Sequence, residues 1–173
     1  SPKILLKLSK DKYSMELFEV IFPQLKNLKI FSNLNEFAKT KIKEADFIFL
    51  LSTLIIDGSD NAAYFLFKFN LSKKDQKRIK IIDDFYKDRI TSKSFSENNL
   101  NKIFYFKGKK SLLDILSFQN FKSRKVDKKI LRFIEHYKSK DLPSMPVGAK
   151  LLIEKYHIPE GKNLGDKLKD IEN

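Results

Sequence analysis

The chain reads as an all-α protein, an irregular multi-helix array ending in a helical hairpin, and three observations predict this. Apolar residues recur at the three-to-four-residue spacing of helices rather than the alternation of strands. Helix start signals, a Ser, Asp or Asn just before an apolar run, recur along the sequence. Five Gly and five Pro in 173 residues are too few for the turn-dense build of a sandwich, barrel or propeller.

Taken in order, Ile4, Leu5 and Leu8 predict a short opening helix. Ser14 is expected to cap a second, with Met15, Leu17, Phe18 and Ile21 or Phe22 inward until Pro23 interrupts it. Asn33 or Asn35 starts another, and the stretch from Ala45 to Ile56 is apolar on nearly every side, as a central buried helix is. Asp57-Gly58-Ser59-Asp60 predicts a turn, with Asp60 capping a helix from Ala62 to Phe69. Ser72-Lys73-Lys74-Asp75, a capping-box variant, opens a longer helix with Ile79, Ile82, Phe85 and Tyr86 inward. Ser111-Leu112-Leu113-Asp114 repeats that signature, and Val126, Ile130, Phe133 or Ile134 and Tyr137 define one face of a helix from Lys125 to Lys138.

The pattern breaks at Ser139 to Pro146, dividing the chain into a helical body, 1–140, and a C-terminal hairpin, 141–173. In the hairpin Pro146 occupies a first helical position and the first helix runs from Val147 to His157. Asn163 with Asp166 starts the last helix, with Leu164, Leu168 and Ile171 inward. The opening Ser-Pro-Lys, with no Met, leads us to expect a piece of a longer polypeptide.

With no cysteine there is neither a disulfide nor a thiolate metal site. The longest apolar run is about half of what a bilayer crossing requires, so a soluble, cytoplasmic protein without a membrane partner is expected. Catalytic constellations are not visible. His136 and His157 fall on separate helices without neighbouring ligands, and the adjacent Asp83 and Asp84 splay about 100° apart on a helix, as a solvated face would.

Charge is the informative feature. The formal net charge is +13, and its distribution is uneven. Residues 71–140 hold twenty basic and eight acidic side chains, whereas 1–70 hold ten and eight, and 141–173 hold five and six. A field confined to one segment attracts polyanions. Two stripes carry it. Lys73, Lys77 and Lys80 share one face of the helix from Ser72, with Lys74 and Arg78 beside it, and Arg124, Lys125, Lys128, Lys129 and Arg132 line the face of the later helix away from Ile130 and Phe133. Cations so spaced can follow phosphates without reading sequence; the alternative is the solvated face of a lysine-rich interaction or structural module.

The most specific stretch is the end of the chain. Pro146-Val147-Gly148-Ala149-Lys150-Leu151-Leu152 followed by Ile158-Pro159-Glu160-Gly161, Leu164-Gly165 and Leu168-Lys169-Asp170-Ile171-Glu172 resembles the C-terminal signature of bacterial tRNA nucleotidyltransferases and the related poly(A) polymerases. Lys3-Ile4-Leu5, Met15-Glu16-Leu17-Phe18 with Ile21-Phe22-Pro23, and Phe69-Asn70-Leu71-Ser72 are similar to segments further upstream in that family. The resemblance implies a body and tail that hold RNA, tRNA foremost, alongside a head and neck of the parent chain. The head carries the metal-binding carboxylates and the neck reads the nucleotide; neither is matched, so no catalytic residue or metal site is carried over. No cofactor is expected in this chain, and the parent enzyme is expected to use Mg2+ with CTP or ATP. Gly161 and Gly165 would admit a phosphate to the first turn of the last helix, near Lys162 and Lys167; alternatively Gly165 only permits close packing against Leu151 or Leu152.

Overall fold

The computed structural model describes residues 2–88, 92–142 and 147–172. Among them are eleven α-helices and no strand, so the protein is an all-α array. The helices are α1 (Pro2–Leu8), α2 (Lys12–Ile21), α3 (Glu36–Glu44), α4 (Phe47–Ile55), α5 (Asn61–Lys68), α6 (Lys73–Asp88), α7 (Glu97–Lys107), α8 (Lys109–Lys122), α9 (Lys128–Ser139), α10 (Ala149–Tyr156) and α11 (Lys162–Glu172), with 3-10 turns at Leu28–Ser32 and Ser92–Phe95. They fall into two compact units, 1–141 and 142–173. None is long and apolar enough to cross a membrane.

The organising element of the first unit is α4. Asp46 caps it, accepting from the Phe49 N–H at 2.9 Å, and every residue from Phe49 to Ile55 is buried. A helix sunk this deeply cannot leave its terminal carbonyls to water, and each one costs about 1–3 kcal/mol if left without a partner. Side chains supply the partners. Asn27 Nδ2 donates to Leu54 O at 3.1 Å and to Ile56 O at 2.9 Å, Asn61 Nδ2 donates to Ile55 O at 2.7 Å, and Lys122 Nζ also donates to Ile56 O. Within the helix, the Ser52 and Thr53 hydroxyls donate back to Ile48 O and Phe49 O.

Around α4 lies the larger core, built from Leu28, Phe31, Ile42, Ile56, Phe65, Ile79, Ile82 and Phe85 with Ile115, Phe118 and Phe121 of α8. A second core joins α7, α8 and α9 through Leu100, Phe104, Leu112, Leu116, Ile130, Ile134 and Tyr137. Helix α8 belongs to both, so it is apolar on two sides.

Several expected details are corrected. Helix α2 is capped by Asp11, not Ser14, whose N–H and hydroxyl both donate to the Asp11 carboxylate. Leu17 and Ile21 are 62% and 57% exposed, so only Met15 and Phe18 of that helix pack on the core. Ser111 is not a cap, because α8 begins two residues earlier, after Gly108 at φ +84°. Asp127 caps α9 through the Lys129 and Ile130 N–H groups, which leaves Arg124 and Lys125 on the bend before it. Helix α7, capped by Ser96, was not anticipated. The first helical position expected at Pro146 lies outside the described residues.

Asp83 is another correction: it is 5% exposed rather than solvated. Its Oδ2 pairs with Lys87 Nζ at 3.0 Å and its Oδ1 has no hydrogen-bond partner. Burial pushes its carboxyl above the ordinary carboxylate range, against the pull of Lys87. A raised folded-state pKa means that ionisation opposes folding at neutral pH and ceases to do so below the unfolded value of about 3.9. Asp83→Asn, which removes the charge at constant shape, is therefore expected to raise the melting temperature at pH 7. Melts at descending pH should show the gain vanish by about pH 4; a gain that persists there contradicts the assignment.

The second unit is a helical hairpin. Helix α10 ends at His157, in the left-handed region at φ 51°, with the His157 and Ile158 N–H groups both donating to Leu152 O. Leu152 and Leu164 are buried, Leu168 is half-buried, and Ile171 is 47% exposed, so of the three residues expected inward on α11 only Leu164 is fully covered.

Candidate nucleic-acid interface

The strongest polar feature is centred on Arg78, on the second turn of α6. It was expected beside the basic stripe, but its side chain is only 16% exposed and binds two carboxylates. Nε and Nη2 reach Asp114 Oδ2 and Oδ1 at 2.7 and 3.1 Å, while Nη1 reaches Asp46 Oδ2 and Oδ1 at 2.7 and 2.9 Å. Burial disfavours the guanidinium charge, but the two carboxylates outweigh it and raise its pKa. Burial likewise acts to raise Asp46, and the hydrogen bonds from Arg78 and the Phe49 N–H override it, so its carboxyl lies below the usual range. Arg78 is thus a clasp joining the first turn of α4 to α6 and α8, and its charge is already spent.

The clasp forms the floor between two adjoining cavities. One, of about 440 Å3, is lined by Lys41, Lys109 and Lys110 over Phe49 and Leu113. The other, of about 240 Å3, is lined by Lys74, Lys77, Lys107 and Lys110 with Ile81 and Phe106. Arg78, Lys110 and Asp114 border both. Six lysines and one arginine thus face three carboxylates, Glu44, Asp46 and Asp114. Among the described residues, Lys74, Lys77, Lys107 and Lys110 have no ion-pair partner.

The local sequence explains the convergence. Lys74 and Lys77, three apart, lie on one side of α6. Lys107-Gly108-Lys109-Lys110 spans the joint between α7 and α8, where Gly108 takes a positive φ that other residues adopt at a cost. No side chain caps α8, so the first-turn N–H groups of Lys109, Lys110 and Ser111 are left without intrahelical acceptors, at the positive end of the helix dipole. The groove is electropositive through both side chains and backbone.

The remaining expected residues are more dispersed. Lys73 and Lys80 are exposed on α6, and Lys128, Lys129 and Arg132 on α9. Lys129 Nζ lies 5.8 Å from the Phe133 ring. Arg124 lines a separate cavity of about 430 Å3 with Lys29 and Lys122, and Lys125 is exposed on the same bend. In the hairpin unit, Gly161 has φ +143° just before α11, Lys162 opens the helix, and Lys167 is exposed. A Cβ at Gly165 would meet nothing within 4 Å, so the close packing expected there is absent. Its N–H is already taken by Gly161 O at 3.2 Å.

Sequence reasoning missed Lys41, Phe106, Lys107, Lys109 and Lys110. The run Lys107 to Lys110 was visible as a local charge cluster with a glycine inside it, but nothing local placed it beside α6. Among the described residues, no cluster of His, Cys, Asp or Glu is arranged to hold a metal ion. Comparison of the chain with protein-family profiles, curated proteins and solved structures finds no match.

Proposed function

We propose that this chain is a helical RNA-binding module that grips phosphates in the groove between α6 and the start of α8. The observation that carries the reading is the set of four unpaired lysines converging on a concave surface at an uncapped helix N-terminus. A solvated lysine face has no need of a concavity, whereas a phosphate chain gains from cations on both sides of it and from the backbone N–H groups at its end. The narrower reading, that the module serves a tRNA nucleotidyltransferase or poly(A) polymerase whose head and neck bind Mg2+ and CTP or ATP, rests on the sequence resemblance, of which the hairpin signature is the distinctive part. It makes tRNA the first ligand to try.

The test is a salt titration of tRNA binding by the purified chain. The expected result is binding at low ionic strength whose log affinity falls linearly with log salt, by about 0.7–0.9 per phosphate contacted. Absence of RNA binding at low salt refutes the proposal.

A second reading has its own support. Tyr13, Leu17, Val20 and Ile21 of α2 are 57–82% exposed and fall at helical spacing, an apolar stripe suited to a protein partner. The two readings concern different surfaces and are compatible.

A further inference from the structure

We propose that the groove takes a single-stranded stretch of nucleic acid, with a base stacked on Phe106, and discriminates against duplex. This rests on the RNA-binding reading and specifies its substrate class. Phe106 lies in the last turn of α7 and is 53% exposed, whereas Phe104, two residues earlier, is buried at 1% in the second core. Phe106 therefore contributes little to the core. It shares the smaller cavity with Lys74, Lys77, Lys107 and Lys110, so an aromatic face stands among four cations that form no ion pair among the described residues.

That combination suits a particular chemistry. Every base has an apolar face flanked by phosphates, and a ring set between lysines meets both parts of the unit at once. In a duplex the faces of internal bases are covered by their neighbours, so Phe106 finds none, and the double helix is too wide to enter a cavity of about 240 Å3. A single strand can place one base against Phe106 and its adjacent phosphates against Lys107 and Lys110 on one side and Lys74 and Lys77 on the other. Ser111, which also lines this cavity, offers a hydroxyl to the base edge and no basis for strong sequence preference.

The experiment measures the affinity of the full chain for a labelled oligoadenylate, single-stranded and annealed to its complement, at low salt. Wild type is compared with Phe106→Leu, which keeps apolar bulk without a π-face, and with Phe106→Tyr, which keeps the face. Helical circular dichroism confirms that each variant folds. The expected result is that wild type binds the single strand more tightly, that Phe106→Leu weakens it roughly tenfold, that Phe106→Tyr restores it, and that duplex binding is unchanged in both. The proposal is overturned if Phe106→Leu leaves single-strand affinity intact, weakens both forms equally, or is not rescued by Phe106→Tyr, while salt-dependent binding persists. If wild type binds neither form, the RNA-binding reading itself fails and this proposal falls with it.

Discussion

Arg78→Ala is expected to lower the unfolding free energy by about 3–5 kcal/mol, as removal of one partner of a buried ion pair does. The loss arises less from the missing attraction than from what is left behind. Asp114, with its side chain 10% exposed, would be a desolvated carboxylate with neither of its guanidinium hydrogen bonds. Asp46 matters less, since its side chain is 48% exposed and still caps α4. Against a total stability of about 5–15 kcal/mol for a domain, the shift in denaturant midpoint would be unmistakable. Adding Asp114→Leu to Arg78→Leu should recover much of the loss, because the uncompensated charge is then gone. If the double variant is as unstable as Arg78→Ala, the clasp is not the cause. The acid limb reports the same contact: with its folded-state pKa depressed, Asp46 stabilises above the unfolded value near 3.9 and loses that contribution as pH falls through the lower folded value. In Arg78→Ala this component of the acid dependence should shrink.

The other large effect concerns binding. Lys74→Glu, Lys77→Glu and Lys110→Glu together should reduce RNA affinity at low salt by roughly 100-fold and flatten the salt dependence by about one unit of slope for each lysine that touches a phosphate. All three side chains are exposed and form no ion pair among the described residues, and only Lys110 acts on a structural carboxylate, through space on the half-exposed Asp46, so the melting temperature should move far less than in Arg78→Ala. The matching reversal at Lys128, Lys129 and Arg132 on α9 serves as the comparison. A loss confined to the α9 variant would move the interface away from the groove, and a loss in neither would leave the basic charge without a nucleic-acid role.

These residues also show what the sequence could and could not tell. The fold class was legible because helix periodicity is local: α4 stood out as a continuous apolar run, α6 by its Ser72–Asp75 box, whose side chains do bond at 2.6 Å, and α9 by its Ile130, Ile134 and Tyr137 stripe. Helix α8 was harder to place. A helix that feeds two cores is apolar on two sides, so no single stripe marks it, and the cap signature at Ser111 falls three residues after the actual cap position, Gly108. The fate of Arg78 was invisible for a different reason. Its partners lie 32 and 36 residues away, and no spacing rule distinguishes a spent arginine from its free neighbour Lys77. Asp83 was misjudged in the same way, because burial of one of two adjacent carboxylates depends on what packs above α6. The lysines of the groove were individually present in the charge count, but their meeting depends on the packing of α6 against α8, which is a tertiary fact.

Helix α4 is held at both ends by polar side chains from distant parts of the chain: Arg78 through Asp46 at its start, and Asn27, Asn61 and Lys122 at its finish. Its amides should consequently be among the last to exchange with deuterium, opening only when the whole first unit opens. The Arg78–Asp114 pair that borders the groove is tied to the cap of that helix through Asp46, so the recognition surface does not have to be assembled when a ligand arrives. Little ordering entropy is then lost on binding beyond that of the lysine side chains, and association should proceed at a rate set by electrostatic encounter rather than by a conformational step.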